Sequence, residues 1–187
     1  MFYEREILGK IQQFSQQYPA IVLTGARQVG KTTFLKKCFP SYTFVSLDLP
    51  SDAELADNEP EFFLKKYPAP VIIDEVQYAP KLFRNLKIAI DADRHNMGRY
   101  ILTGSQKFNL MKNVSDSLAG RIAIVELENL SISEIGLTPK ADIVKTLSRG
   151  FYPELWRNQD LDRDPYYRSY VTSYLERDVR QILNVQS

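Results

Sequence analysis

The sequence predicts an α/β fold with a parallel sheet that carries helices on both faces. Short apolar runs rich in β-branched and aromatic residues alternate with longer amphipathic stretches, and Pro, Gly or charged residues bound each run. Strands that alternate with helices form parallel sheets, because each helix carries the chain back across a face of the sheet. The predicted strands cover residues 21–24, 43–47, 71–74, 100–103 and 122–127.

Amphipathic segments between these strands predict the helices. The clearest of them places Leu82, Phe83, Leu86 and Ile90 on one face, which is the spacing of a helix that packs on a core. The predicted helices cover residues 31–38, 60–66, 80–93 and 108–118.

The pattern changes after about Gly136, where no further strand is predicted. Residues 141–148 and 166–183 have helical patterns, with Pro165 near the start of the second. We therefore expect a sheet domain at residues 1–137 and a helical segment at 138–187. The last helix has no stop signal, which is consistent with a chain that continues in a longer protein.

The amino-acid composition limits the kinds of function that this protein can have. The 24 Lys and Arg against 23 Asp and Glu give a net charge of +1, so no global field attracts nucleic acid or an anionic membrane, although local patches stay possible. The single cysteine, Cys38, excludes an intramolecular disulfide and fits a reducing compartment. The start carries acidic residues rather than a secretory signal, and no run reaches the length of a membrane span. We expect a cytoplasmic protein.

The segment at residues 25–33 matches a phosphate-binding loop. Gly25, Gly30, Lys31 and Thr32 occupy the fixed positions of the pattern, with a strand before them and a helix after. Glycines let successive N–H groups turn inward as an anion cradle, and the helix N-terminus adds partial positive charge. Lys31 would reach the β- and γ-phosphates of a nucleotide, and the Thr32 hydroxyl would bind Mg²⁺. The predicted nucleotide-binding residues are Gly25, Ala26, Arg27, Gln28, Val29, Gly30, Lys31, Thr32 and Thr33.

Two carboxylates end the third predicted strand. Asp74 would hold Mg²⁺ directly or through water, and Glu75 would orient and deprotonate a water that attacks the γ-phosphate. The alternative is a pair of solvated acids that open a turn. A base beside a metal ligand favours an ATPase that splits water over a kinase, whose acceptor is itself the nucleophile.

Two further positions are candidates for catalysis. The fourth predicted strand ends in hydroxyls that would place Thr103 or Ser105 near the attacking water, or would instead cap the next helix. Arg121 would stabilise phosphoryl charge as an arginine finger, in its own chain or a neighbour's, or would be a surface arginine. The candidate catalytic residues are Glu75, Lys31, Ser105 and Arg121.

Four segments together resemble the AAA+ branch of P-loop ATPases, and more narrowly a large family of bacterial and archaeal ATP-binding proteins of mostly unassigned cellular role. These segments are residues 25–33, 73–77, 102–105 and 117–121, and the resemblance extends from about residue 5 to 178. It implies a P-loop NTPase fold, a three-layer sandwich with a five-stranded parallel sheet of order 5-1-4-3-2. ATP would bind at the carboxyl ends of the strands. Family members continue into a C-terminal domain.

Two residues depart from the family pattern. Phe151 replaces the second glycine of a Gly-Gly-aromatic-Pro-Glu turn, and Asn129 stands where proline is usual. The first departure puts in question any backbone contact that needs glycine at that position.

The expected function is Mg²⁺-dependent ATP binding and hydrolysis that switches the shape of the protein. One alternative is a binding module that holds ATP without turnover and recruits DNA or protein through its C-terminal half. The other is a small-molecule kinase, although the candidate lid at residues 149–168 mixes acids with its arginines. Tyr167, Tyr170 and Tyr174 share one helical face, which favours packing over stacking on bases. No membrane partner is expected, and an oligomer stays possible.

Overall fold

A computed structural model describes residues 2–105, 114, 117–136 and 143–175. Within these residues, five parallel strands form one sheet of order β2-β3-β4-β1-β5. The strands are β1 (Ala20–Thr24), β2 (Thr43–Ser46), β3 (Val71–Asp74), β4 (Tyr100–Gly104) and β5 (Ile122–Glu126). The predicted α/β fold and the strand order 5-1-4-3-2 are therefore confirmed.

Helices follow or precede each strand. The first five are α1 (Leu8–Gln17), α2 (Lys31–Cys38), α3 (Pro50–Asn58), α4 (Pro60–Lys66) and α5 (Leu82–Ala92). The later ones are α6 (Ile132–Ile135), α7 (Ile143–Arg149), α8 (Pro153–Arg157) and α9 (Arg163–Tyr170), which continues as a π-helix at Val171–Leu175. The sequence pattern did not predict α1, α3, α6 and α8. No helix in the described ranges is long and apolar enough to cross a membrane.

Some predicted elements fall outside the described residues. They are most of the predicted helix at 108–118, the first two residues of the helix at 141–148, and residues 176–183 of the last helix. The last helix begins at Arg163, three positions earlier than predicted, because the Asp162 side chain accepts a hydrogen bond from the backbone N–H of Asp164 and caps it.

The chain divides into two compact units. The sheet unit comprises Arg5–Ala26 and Gly30–Glu128, and the helical unit comprises Met1–Glu4, Arg27–Val29 and Asn129–Ser187. The helical unit thus includes the three residues at the tip of the predicted phosphate loop. The predicted domain boundary at residue 137 stays a prediction.

Burial of the three central strands explains their sequence. Every residue of β1, β3 and β4 is buried, as expected where helices cover both faces of a parallel sheet. Helix α5 packs into this core with Leu82, Phe83, Leu86 and Ile90. In register, Ile73 lies beside Leu102, and Leu23 beside Thr103. The carboxyl ends of these strands therefore meet at one edge of the sheet, where the polar residues follow.

Candidate nucleotide-binding site

The loop between β1 and α2 has the backbone of an anion cradle. Its φ angles are positive at Gly25 (146°), Gln28 (64°) and Gly30 (94°), and positive φ angles within a turn allow backbone N–H groups to point to one side. A Cβ built on Gly30 would meet no atom within 4 Å. The space beside Gly30 is therefore open to a ligand that approaches the backbone.

Lys31 brings a positive charge into this loop. Its Nζ donates hydrogen bonds to the carbonyl oxygens of Gly25 at 2.8 Å and Ala26 at 2.9 Å, and the residue is buried. The ammonium group therefore lies at the start of the loop, where a phosphate would compete for it. Thr33, two positions further on, is exposed on α2.

Asp74 is a buried carboxylate, and each of its two oxygens accepts a hydrogen bond from a threonine hydroxyl. Thr32 Oγ1 donates to Asp74 Oδ2 at 2.9 Å, and Thr103 Oγ1 donates to Asp74 Oδ1. Asp74 is 5% exposed and Thr103 is fully buried. A carboxylate and a hydroxyl are hard oxygen donors, which suit Mg²⁺ when waters and phosphate oxygens complete its coordination. Thr32 and Asp74 therefore fit the predicted metal ligands.

Glu75 follows Asp74 but turns away from it, because its backbone is left-handed with φ 55° and ψ 45°. Its Oε2 accepts hydrogen bonds from Ser105 Oγ at 3.0 Å, from Ser105 N at 3.3 Å and from Gln77 Nε2. Its backbone N–H donates to Thr103 Oγ1 at 3.3 Å. The fold thus brings Glu75 and Ser105 together across 30 positions of sequence, and one threonine hydroxyl links both acids.

Arg121 has partners of a different kind. Its Nε and Nη2 donate to the two carboxylate oxygens of Asp91 at 2.6 and 2.9 Å, and its Nη1 donates to the Ala119 carbonyl oxygen at 3.0 Å. Hydrogen bonding to Arg121 lowers the pKa of Asp91, and the same contact raises the pKa of Arg121. Among the described contacts, Arg121 therefore forms a surface ion pair and joins none of the other candidate site residues.

Within the helical unit, tyrosine side chains contact the tip of the predicted phosphate loop. Tyr166 OH donates to Gln28 Oε1 at 2.8 Å, and Gln28 Nε2 donates to Tyr174 OH at 3.1 Å. Tyr170 OH donates to the Arg27 carbonyl oxygen at 3.4 Å, and the Arg27 guanidinium lies 5.3 Å from the centre of the Tyr174 ring. The printed contacts at the tip thus involve the Gln28 side chain, the Arg27 carbonyl oxygen and the Arg27 guanidinium.

The same tyrosines form a cluster of aromatic rings. Ring centres lie between 4.9 and 5.9 Å apart at tilted or edge-on angles, which is the range of favourable aromatic pairs. Burial is the main cause that raises the pKa of Tyr166. The members of this tyrosine cluster are Tyr152, Tyr166, Tyr167, Tyr170 and Tyr174.

The turn that precedes α8 explains one departure from the family pattern. Gly150 has φ 80°, and a Cβ at this position would lie 1.9 Å from Tyr167 OH. Glycine is therefore required at residue 150. Phe151 has no positive φ, so its backbone needs no glycine and the replacement introduces no strain.

Sequence reasoning missed two kinds of contact. The sequence analysis gives Gln77 no role, although its amide nitrogen donates a hydrogen bond to Glu75 Oε2. The shared helical face of Tyr167, Tyr170 and Tyr174 predicts packing on a core, whereas the Tyr174 hydroxyl accepts a hydrogen bond from Gln28. The position of Gln77 two residues after the acids was the available signal for the first contact. The contact between Tyr174 and Gln28 joins residues that are 146 positions apart, so no local sequence pattern predicts it.

Comparisons with known proteins agree with this geometry. A family model described as an AAA domain matches residues 17–136. Uncharacterized proteins of Mycobacterium tuberculosis and Mycobacterium bovis are each 34% identical over 183 residues, which are 95% of this chain and 40% of each relative's length. The structure is similar to that of the Walker-type ATPase PABY2304 of Pyrococcus abyssi, with a TM-score of 0.61 and 17% identity over 100% of this chain and 77% of that one. This last likeness concerns the fold. Because the family model spans more than half of the sequence, the chain belongs to the AAA domain family of P-loop ATPases.

Proposed function

We propose that this chain binds ATP with Mg²⁺, hydrolyses the ATP and uses the cycle to switch its shape. The observation that carries the proposal is the carboxylate of Glu75, which Ser105 holds directly after a buried Asp74. A base next to a metal ligand is what the splitting of water requires. Membership of the AAA domain family supports nucleotide binding at this edge of the sheet.

Each candidate residue has a role in this proposal. The N–H groups of residues 25–33 and the Lys31 ammonium bind the phosphates. Thr32 and Asp74 hold Mg²⁺, which neutralises phosphate charge when bound. Glu75 accepts a proton from the attacking water, whose oxygen bonds to the γ-phosphorus as the bond to the ADP oxygen breaks. Ser105 keeps the Glu75 carboxylate in place.

Arg121 and the two parts of the chain also have roles in this proposal. A role for Arg121 as an arginine finger requires that it leave the ion pair with Asp91. Residues 1–137 would bind the nucleotide and residues 138–187 would act as a helical lid. The chain spans 40% of the length of the relatives, so a DNA or protein partner, an oligomer and a cytoplasmic location are proposals about the whole protein.

A second candidate is a binding module that holds ATP without turnover and recruits DNA or protein through its C-terminal half. The contacts of Tyr166 and Tyr174 with Gln28 favour it. They join the tip of the phosphate loop to the C-terminal helix, so loop occupancy would reach that helix without any hydrolysis.

Phosphate release and nucleotide affinity, measured together with Mg·ATP, test the proposal. In Lys31→Ala we expect loss of both, because the phosphates lose their cation. In Glu75→Gln we expect retained binding and hydrolysis reduced at least ~100-fold, since a general base typically contributes that much. Lys65→Ala, at an exposed position of α4, is the matched control and should behave as wild type.

Three outcomes would contradict hydrolysis as the function. Wild-type phosphate release no greater than that of Lys31→Ala would reject the ATPase. Tight ATP binding without turnover in wild type would favour the binding module. Formation of ADP only when a small-molecule acceptor is added would favour the kinase.

A further inference from the structure

Gln77 is a buried polar residue next to the proposed base. It lies in the 3₁₀ turn Val76–Tyr78, and it is 9% exposed. Its Nε2 donates to Glu75 Oε2, whereas its Oε1 is buried and has no hydrogen-bond partner among the described residues. A carboxylate accepts hydrogen bonds when ionised, so the amide nitrogen is the group that faces Glu75.

The three donors on Glu75 make its two oxygens unequal. Gln77 Nε2, Ser105 Oγ and Ser105 N all donate to Oε2, and no donor in the described part of the chain contacts Oε1. The oxygen with three donors has little capacity left to accept another hydrogen. Oε1 is therefore the oxygen that can accept a proton from water.

The backbone of this turn keeps the carboxylate in one place. The Glu75 backbone is left-handed, a conformation that is strained for a residue with a side chain and persists where the surroundings hold it. Two contacts do so here: Glu75 N–H donates to Thr103 Oγ1 at 3.3 Å, and Tyr78 N–H donates to the Glu75 carbonyl oxygen at 3.1 Å. Such strain at a proposed active site indicates a geometry selected for chemistry.

Stability alone does not account for glutamine at residue 77. A buried acceptor without a donor, such as Gln77 Oε1, lowers the stability of the folded state. An apolar side chain of similar length, such as methionine, would fill the same volume without that cost. The amide is therefore present for its contact with Glu75 rather than for the core.

We propose that Gln77 is a positioning residue, which together with Ser105 fixes the Glu75 carboxylate so that its Oε1 receives the proton of the attacking water. This inference rests on the proposed hydrolysis of ATP. It assigns a role in the reaction to Gln77, for which the sequence pattern predicts none.

The Gln77→Met variant tests the inference. We expect kcat to fall about 10-fold or more, since a small misplacement of a catalytic group has effects of that size. KM for ATP should stay within about 2-fold and the melting temperature should not fall, because methionine removes the unpaired acceptor. Gln16→Met, at an exposed position of α1, is the matched control and should leave kcat unchanged.

A double-mutant cycle separates positioning from a general structural effect. In a Glu75→Ala background, Gln77→Met should cause no further loss of rate, because the group that it positions is gone. A kcat of Gln77→Met equal to wild type would overturn the inference while the ATPase stands. An equal loss of rate with and without Glu75 would also overturn it. Wild-type turnover no greater than that of Lys31→Ala would reject both the inference and the proposed function.

Discussion

Gln28 and Glu75 lie in different units of the molecule, and different kinds of group contact their side chains. Of the described residues other than glycine, Gln28 and Glu75 have positive φ. Gln28, in the helical unit, is held by the hydroxyls of Tyr166 and Tyr174. Glu75, in the sheet unit, is held by Ser105 and by the amide of Gln77.

The difference lies in burial and in the length of the partner side chains. The partners of Glu75 are short or buried groups that follow β4 and β3, so strand register sets their positions. The partners of Gln28 are long side chains on a helix, and their hydrogen bonds are exposed, so water competes with them. We infer that geometry at the end of β3 is rigid, whereas the loop tip is held by weaker and replaceable contacts.

The largest effect of a substitution is expected at Thr103, whose hydroxyl links Asp74 and Glu75. Thr103→Val removes the donor to Asp74 Oδ1 and the acceptor of the Glu75 N–H with little change of shape. We expect the apparent Mg²⁺ affinity in ATP hydrolysis to fall about 10–100-fold, as for other groups that hold a metal ligand. The free energy of unfolding should fall by about 1–3 kcal/mol, because buried polar groups lose their partners.

A Mg²⁺ titration of phosphate release and a denaturant titration measure these two effects. Thr43→Val is the matched control, since Thr43 is the exposed first residue of β2. An unchanged Mg²⁺ dependence in Thr103→Val would show that the sheet edge is no more rigid than the loop tip.

A smaller effect is expected at the loop tip. In a Tyr166→Phe and Tyr174→Phe double variant, the left-handed Gln28 loses both hydroxyl partners. Exposed neutral hydrogen bonds contribute about 0.5 kcal/mol each, so nucleotide affinity should weaken about 5-fold. We expect weaker rather than tighter binding, because the two tyrosines hold Gln28 in the conformation that shapes the loop.

Equilibrium binding of a fluorescent ATP analogue measures this change, with Tyr18→Phe in the sheet unit as the control. Affinity that is unchanged or tighter in the double variant would mean that the tyrosines hold an arrangement unsuited to nucleotide.

The smallest effect is expected at a surface ion pair, which serves as a reference for both regions. Arg121 lowers the pKa of Asp91 from its ordinary 3.8. A lowered folded-state pKa contributes stability that is present above the unfolded pKa and lost as pH falls through the folded one. Asp91→Asn should therefore be slightly less stable than wild type at neutral pH, with the difference lost in acid and reduced by salt.

Denaturant titrations at neutral pH and below the ordinary pKa of Asp91 measure this difference. A stability difference that grows in acid would contradict a pKa of Asp91 that is lowered by its contact with Arg121. The same variant releases Arg121, so faster ATP hydrolysis in Asp91→Asn would support the arginine-finger role, and an unchanged rate would argue against it.

The sequence predicted elements well where burial imposes a strong pattern. All five strands lie within one residue of their expected bounds. Continuous apolar runs mark β1, β3 and β4, which are buried throughout because both faces of the sheet are covered there. Helix α1 was missed because, among its residues, Ile11 alone is buried, and α3 was missed because it buries Ala56 alone. Helices that bury so few residues show no apolar face in the sequence, so periodicity does not predict them.

The sequence by itself determined the position of the glycine-containing loop after β1, the acids at the end of β3 and the parallel sheet, since these depend on local backbone preference and on apolar periodicity. Tertiary structure alone decided which side chains meet. Thr32 reaches Asp74 across 42 positions, Ser105 reaches Glu75 across 30, and Tyr174 reaches Gln28 across 146. Strand order and helix packing set these distances, and both follow from the burial of the whole core rather than from any short stretch of the chain.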